Sequence, residues 1–215
     1  MESRFFTVTS PKNPIITIHA AVGHFATGSS HISHYIDISE LKSSSSIAQD
    51  AARELAIPYL SKTIVDVIIC MEGTEIIAAY LAEELLDEGL AVMNSGGEIH
   101  VVTPMSGTTG HFIFHENVQK KIANKNIVLM VASASTGTTI NRALECISYY
   151  GGKLVGISAV FSAIAEINGQ EVNSLFTCED LPDYHFYTPS ECEMCRQQQK
   201  LDAIINSEGY TKILH

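Results

Sequence analysis

Apolar residues in the middle of the chain form short continuous runs that alternate with segments of helical spacing. The runs at residues 64–70, 127–131 and 154–161 have the length and the branched side chains of strands buried on both faces. Glu75–Leu86 and residues 139–150 repeat apolar residues every three or four positions, which predicts helices. Because strands separated by helices of this length form βαβ units, we expect an α/β protein with a parallel sheet flanked by helices.

The remaining patterns predict shorter elements. Ser45–Ala56 has helical spacing and ends before Pro58. Residues 98–103 and 110–114 have the pattern of two short strands joined by a turn. Near the C-terminus, residues 192–206 have the pattern of one more helix.

The length and net charge of the chain exclude some classes of function. A chain of 215 residues with 46% apolar residues is predicted to be a single domain, residues 1–215, with a sizeable core. Its net charge of −11 argues against a nucleic-acid partner, which needs a basic surface. No apolar run is long enough for a membrane span, so we expect no membrane partner. Five cysteines without a signal-like N-terminal segment predict a cytoplasmic location.

The stretch SASTGTT joins the strand at 127–131 to the helix that follows. Small and hydroxyl residues at the start of a helix let a phosphate approach the exposed backbone N–H groups. The candidate phosphate-binding residues are Ser135, Thr136, Gly137, Thr138 and Thr139. The alternative is a plain strand-to-helix turn capped by Ser or Thr.

Three stretches in the same order resemble the type I phosphoribosyltransferases, and among them the orotate branch. Residues 127–157 resemble the loop that binds phosphoribosyl pyrophosphate, together with its flanking elements. The stretch CMEGTE at 70–75 resembles the pyrophosphate-binding turn, with Glu72, Gly73 and Thr74 as candidate residues. Residues 22–37, VGHFATGSSHISHYID, resemble the entry to the hood of the orotate branch.

The resemblance implies a fold, a set of partners and a second set of site residues. It implies a type I phosphoribosyltransferase-like parallel sheet with a core at about 45–162 and a small hood from about 1–44 and 163–215. It also implies binding of phosphoribosyl pyrophosphate or a nucleotide, a nucleobase as possible acceptor, and a homodimer. The base-pocket residues that it implies are His24, Phe25, Ser30 and His31.

The sequence departs from the family where the family's chemistry is concentrated. The family's acidic pair, which holds the ribose hydroxyls and helps to organise Mg²⁺, falls on Val131 and Ala132, which carry no oxygen ligand. The mobile flap expected within residues 91–111 contains no Lys or Arg. An Arg that contacts the orotate carboxylate in the orotate branch is replaced by Ala163. These departures weaken two expectations that the resemblance implies, the binding of Mg²⁺ and efficient transfer to orotate.

Histidines in or beside the expected flap are candidate replacements for its cations. They are His100, His111 and His115. An imidazolium carries positive charge near and below its pKa, so these residues are candidate catalytic groups. The alternative places each of them on the surface or within a packed strand.

The C-terminal cysteines form a candidate zinc site. Cys192 and Cys195 have the two-residue separation that lets two thiolates hold one ion. With Cys178 and His185 upstream, they make a four-ligand set for structural Zn²⁺. The alternatives are reduced structural cysteines or a redox pair.

Three functions remain open from the sequence. The first is a phosphoribosyltransferase-family protein that binds phosphoribosyl pyrophosphate or a nucleotide 5′-phosphate, with transfer to an orotate-like base in question. The second is a non-catalytic nucleotide sensor or regulatory protein with the same pocket. The third is a different transfer reaction on a ribosyl phosphate that uses the histidines.

Overall fold

The computed structural model describes residues 2–71, 73–87, 93–107, 110–206 and 209–214. Within these ranges the chain forms two six-stranded sheets and a two-stranded ribbon. The strands are β1 (Phe5–Thr9), β2 (Thr17–Ala26), β3 (His31–Asp37), β4 (Val67–Cys70), β5 (His100–Val102), β6 (Met105–Ser106), β7 (Phe112–Ile113), β8 (Asn126–Ala134), β9 (Lys153–Ser162), β10 (Glu166–Ile167), β11 (Gln170–Thr177), β12 (Phe186–Tyr187), β13 (Ala203–Asn206) and β14 (Gly209–Lys212). The α-helices are α1 (Ser39–Ser43), α2 (Ser45–Ala56), α3 (Glu75–Leu86), α4 (Glu116–Gln119), α5 (Thr138–Tyr149) and α6 (Glu193–Arg196).

The central sheet has the order β10-β11-β9-β8-β4-β5. All neighbours in it are parallel except β10, which pairs antiparallel with β11. The predicted parallel α/β sheet is therefore confirmed. The sheet also includes β11, so it extends beyond the predicted core boundary at residue 162.

The core lies on both faces of the central sheet, as the continuous apolar runs predict. On β8, Val128 and Met130 face the cluster that contains α2 and α3. Ile127, Leu129 and Val131 face the opposite cluster, which contains α5. This alternation follows from the two-residue period of a strand.

The second sheet forms the hood, in the order β12-β3-β2-β13-β14 with β1 paired to β2. Both chain ends contribute strands to it. β13 runs parallel to β2, and β12 runs antiparallel to β3. The hood has a small core of its own around Phe25, Ile32, Tyr35 and Ala203.

The helix predicted at residues 192–206 is wrong. Only the one-turn helix α6 forms there, and it ends before Gln198, whose φ is 59°. The chain then becomes extended as β13 and pairs with β2. Pairing with a distant strand supplies backbone hydrogen bonds that outweigh the local helical preference of this segment.

The pair of short strands predicted around residues 98–114 forms with different partners. β5 joins the edge of the central sheet beside β4, while β7 pairs with β6 in the separate ribbon. Among the described residues the longest helices have 12 residues, which is too short to cross a membrane.

Candidate functional site

A cleft of about 830 Å³ lies between the carboxyl ends of the central strands and the hood. In parallel sheets, ligands bind at this end of the strands, where the loops leave the sheet. The cleft is lined by the ends of β4 and β8, the loop before α5, the ribbon residues Ser106 and Phe112, and hood residues that include Tyr35.

The loop Ser135–Thr139 is part of the cleft wall, and all five predicted phosphate-binding residues line it. Gly137 begins α5 with a φ of 74°, a left-handed conformation that favours glycine. A Cβ on Gly137 would lie 2.7 Å from Ile167 Cδ1, so a larger residue here would also require the end of the Ile167 side chain to shift. Gly137 provides no side-chain cap for α5, and the Thr138 N–H makes one long contact, 3.5 Å, to Thr136 Oγ1. The first-turn residues Thr138, Thr139 and Ile140 line the cleft.

Hydroxyl groups surround this helix end. Thr136 Oγ1 and Thr138 Oγ1 lie 2.9 Å apart, and Ser135 Oγ lies 2.9 Å from the Tyr184 hydroxyl. Burial raises the pKa of Tyr184 to about 12, so its hydroxyl stays protonated at neutral pH. The loop therefore presents neutral donors together with the partial positive charge of a helix N-terminus.

The predicted pyrophosphate turn lies beside Lys42, a residue that was not predicted as part of the site from the sequence. Gly73 has a φ of 74°, and a Cβ on it would lie 2.9 Å from Lys42 Cε and 3.2 Å from Lys42 Nζ. Lys42 lines the cleft from α1 of the hood. Thr74 is buried and donates its hydroxyl to the Met71 carbonyl at 2.7 Å, and Glu72 lies outside the described residues.

A second missed cation lines the opposite part of the cleft. Arg142 projects from the second turn of α5, and its guanidinium lies against Gly110, where a Cβ would be 3.4 Å from Nη1. Among the described lining residues, the acidic one is Asp37, whose Oδ1 accepts hydrogen bonds from the Ser39 backbone N–H and hydroxyl. The part of the cleft lining that the structure describes thus includes two cations and one carboxylate in a strongly acidic chain.

Of the four residues predicted for the base pocket, Ser30 lines the cleft. Phe25 is fully buried in the hood core, and His24 and His31 are not among the residues that line the cleft. The aromatic side chains at the cleft are instead Phe112, Tyr35, Phe161 and Tyr184. Burial raises the pKa of Tyr35 to about 12, so this ring is also uncharged.

The positions of the missing acidic pair differ in their surroundings. Ala132 lines the cleft and Val131 is fully buried in the core on the α5 side. Neither offers an oxygen to a hard cation, and Asp37 is already hydrogen-bonded to Ser39. The described cleft residues therefore do not fit the magnesium site that the resemblance implies.

The three candidate catalytic histidines lie outside the cleft lining. His100 is in β5, with Nδ1 3.7 Å from Glu98 Oε1. His111 and His115 are exposed, and His115 is the residue before α4. Nothing about these positions brings an imidazole to the loop before α5, so the prediction that they replace the flap cations is not supported by the geometry.

The cysteine pair has different partners from those predicted. Cys192 and Cys195 lie beside His24 and His31, and these four form a group able to hold a metal ion. Cys178 is exposed in a short 3₁₀ helix, and His185 is exposed next to β12. Of the predicted ligand set, Cys192 and Cys195 belong to this group, and Cys178 and His185 do not.

Comparison with solved structures identifies the fold. Orotate phosphoribosyltransferase from Aeropyrum pernix matches with a TM-score of 0.51 and 20% identity over 74% of this chain and 88% of that one. The Mycobacterium tuberculosis H37Rv orotate enzyme in complex with phosphoribosyl pyrophosphate gives 0.51 and 15%, over 68% and 82%. Adenine phosphoribosyltransferase from Thermoanaerobacter pseudethanolicus gives 0.50 and 14%, over 82% and 96%.

No family model and no curated protein matches this sequence. The chain has the type I phosphoribosyltransferase fold, as the three sequence motifs predict.

Proposed function

We propose that this protein binds phosphoribosyl pyrophosphate or a nucleotide 5′-phosphate in the cleft between sheet and hood. The observation that carries the proposal is the uncapped N-terminus of α5, reached through the glycine turn at Gly137 and facing the same cleft as Lys42 and Arg142. Anions bind where backbone N–H groups, a helix dipole and positive side chains converge.

The lining residues suggest how such a ligand would lie. Its 5′-phosphate would meet the N–H and hydroxyl groups of Ser135–Thr139, and a diphosphate at C1 would extend toward Gly73 and Lys42. A base would face the aromatic side of the cleft near Phe161 and Tyr184. The volume of about 830 Å³ is within the range of small-molecule sites.

Recognition without turnover is the use that the cleft supports best. Val131 and Ala132 remove the groups that would hold the ribose hydroxyls and organise Mg²⁺, and no described residue of the cleft replaces them. A preorganised charged group at a reaction centre typically contributes a rate factor of about 10²–10³. The phosphate contacts do not depend on these positions, so binding is retained in a nucleotide sensor.

Phosphoribosyl transfer is the second candidate, and Lys42 favours it. In that reaction a nitrogen of the nucleobase attacks C1 of the ribose, the C1–O bond breaks, and pyrophosphate leaves with the bonding electrons. The Lys42 ammonium beside Gly73 is positioned to neutralise charge on such a leaving group. Lys42 would supply part of the positive charge that the flap lacks.

The test is a calorimetric titration of phosphoribosyl pyrophosphate with and without Mg²⁺, followed by a pyrophosphate-release assay over a panel of nucleobases. Recognition predicts binding that changes little with Mg²⁺ and no release above the uncatalysed rate. Release with one base would establish transfer instead. Absence of binding to phosphoribosyl pyrophosphate and to nucleoside 5′-monophosphates alike would refute the proposal.

A further inference from the structure

Four metal-ligating side chains meet where the C-terminal segment crosses the hood. His24 lies on β2 and His31 on β3, while Cys192 precedes α6 and Cys195 lies within it. Their ligand atoms all lie within 4.8 Å of one another. We call these four residues the His–Cys cluster. None of them lines the cleft, so the cluster is a separate feature of the molecule.

Distances within the cluster agree with tetrahedral zinc. His24 Nε2 lies 3.1 Å from His31 Nδ1, 3.5 Å from Cys192 Sγ and 3.7 Å from Cys195 Sγ. Cys195 Sγ lies 3.3 Å from His31 Nδ1. Bonds of about 2.0–2.1 Å to nitrogen and about 2.3 Å to sulfur place the nitrogens of a tetrahedron about 3.4 Å apart and a nitrogen about 3.6 Å from a sulfur. The three observed nitrogen–sulfur distances lie on both sides of their ideal value, and the nitrogen–nitrogen distance of 3.1 Å is slightly shorter than its own.

The hydrogen bonding of His24 leaves its inward nitrogen available as a ligand. His24 Nδ1 lies 2.8 Å from the Gln199 carbonyl oxygen. Because a carbonyl only accepts, Nδ1 carries the proton and Nε2 of the neutral ring directs its lone pair into the cluster. A backbone carbonyl in this position is the usual partner of a histidine that ligates a metal, since it fixes the ring and its tautomer.

Burial and charge also suit an ion at this place. His24 and Cys192 are buried, whereas Cys195 is exposed and gives access from solvent. Two thiolates balance the charge of Zn²⁺, so the occupied site carries no net charge. All described cysteines are free thiols, which leaves both sulfurs of the cluster available.

The segment that carries the cysteines has almost no core to hold it. Between β12 and β13, residues 188–202, Cys192 is the single buried residue. Strand pairs hold the two ends of the segment, Tyr187 with His31 and Ala203 with Phe25. Polar contacts hold its second half, from the Gln199 carbonyl to His24 Nδ1 and from Asp202 to Arg4. The half that carries the cysteines has little apolar burial, and a metal ion would supply a cross-link there.

We propose that the His–Cys cluster binds one Zn²⁺ ion through His24 Nε2, His31 Nδ1 and the Sγ atoms of Cys192 and Cys195. Four protein ligands fill a tetrahedral site and leave no position for substrate, so the ion is structural. It fastens the segment at 188–202 to the β2–β3 hairpin and thereby joins the two chain ends that build the hood.

Metal content is the first test. Protein is loaded with Zn²⁺, dialysed and measured by elemental analysis as the wild type, Cys195→Ser, His31→Asn and the control Cys178→Ser. We expect about one zinc per chain in the wild type and the control, and a large loss in the two cluster variants. Cys178→Ser is matched because it also removes an exposed thiol, but one outside the cluster.

Cobalt substitution gives the ligand set without relying on the variants being well folded. Wild-type protein reconstituted with Co²⁺ is expected to show the intense visible bands of a tetrahedral site and a thiolate-to-cobalt band in the near ultraviolet. Weak octahedral bands, less than a tenth of a zinc per chain, or equal zinc in Cys195→Ser and Cys178→Ser would each overturn the proposal. A Cys192–Cys195 disulfide in protein purified under reducing conditions would also overturn it.

Proteolysis tests the structural role in the wild-type protein. Arg196 and Lys200 are exposed trypsin sites within the segment. Removal of zinc by a chelator is expected to speed cleavage at these two sites by about tenfold or more, because the segment opens locally. Re-addition of Zn²⁺ should restore protection, and cleavage that is indifferent to the chelator would contradict a structural ion.

Discussion

Two side chains give the cleft positive charge in a chain whose net charge is −11. Lys42 comes from the hood and Arg142 from α5, and both lie outside the long stretch between Lys62 and Lys120 that contains no cation. The resemblance places cations on the flap, where the sequence has no Lys or Arg. The role of Lys42 does not follow from its position in the sequence, because only the folded chain brings its side chain close to Gly73.

Lys42 is predicted to contribute more to the binding of phosphoribosyl pyrophosphate than to the binding of a nucleoside 5′-monophosphate. Lys42→Gln should weaken binding of phosphoribosyl pyrophosphate by about tenfold or more, because a hydrogen bond to a charged group contributes roughly 1.5–3 kcal/mol. The monophosphate has no diphosphate near Gly73, so its affinity should change little. Calorimetric titration of both ligands measures the difference.

The matched control is Lys121→Gln, which removes one positive charge from an exposed position outside the cleft. It should leave both affinities unchanged. An equal loss for the two ligands in Lys42→Gln would show that Lys42 acts through the general field rather than beside a diphosphate.

Elements with strong hydrophobic periodicity were predicted well. α2 and α3 begin and end where the pattern predicts, and α5 is displaced by one residue. The errors fall where distant pairing decides the structure, at β13, which pairs with β2, and at β5, which pairs with β4. Pairing of this kind depends on contacts that a local pattern does not encode.

The His–Cys cluster likewise depends on contacts between residues that are distant in sequence. The spacing of Cys192 and Cys195 identified half of the His–Cys cluster. The other half, His24 and His31, lies more than 160 residues away in sequence. Their spacing of seven residues became meaningful only once β2 and β3 were known to pair and to place both rings on one side.

At the amino end of the central sheet, Asp66 joins β4 to β8. Its carboxylate accepts hydrogen bonds from the Asn126 N–H at 2.8 Å and the Lys125 ammonium at 3.2 Å. Partial burial alone would raise the pKa of Asp66, but these two donors together lower the pKa below its ordinary value. The stabilisation is therefore present above the unfolded-state pKa and is lost as the pH falls through the folded-state pKa.

Asp66→Asn is predicted to lower the free energy of unfolding at pH 7 by about 1 kcal/mol, since the site is partly exposed. The difference between variant and wild type should shrink as the pH falls below about 4. Urea denaturation at several pH values measures it. A difference that stays constant with pH would contradict the assignment. Ligand affinity should not change, because Asp66 lies at the opposite end of the sheet from the cleft.

At the scale of the molecule, the central sheet and the two chain ends each contribute part of the cleft lining. The sheet supplies the loop Ser135–Thr139, and the chain ends supply Lys42 and two of the four aromatic side chains, Tyr35 and Tyr184. The proposed zinc ion would hold together the two chain ends that form the hood. The homodimer implied by the resemblance stays a prediction.

The most direct test of the central claim compares two glycines at the two ends of α5. Gly137 and Gly151 both have a φ of 74°, so an alanine strains the backbone equally at either position. Gly151 has nothing within 4 Å of an added Cβ and does not line the cleft, whereas Gly137 forms the proposed phosphate loop. The measurement is the affinity for phosphoribosyl pyrophosphate of Gly137→Ala and Gly151→Ala, after circular dichroism has established that both are folded.

The account predicts that Gly137→Ala weakens binding by about tenfold or more, because the N–H groups of the loop are displaced. Gly151→Ala should bind within about twofold of the wild type, although its alanine is held in the same left-handed backbone conformation. Equal affinity of the two variants for phosphoribosyl pyrophosphate would mean that the loop before α5 is only a turn between a strand and a helix, and the proposed function would be wrong.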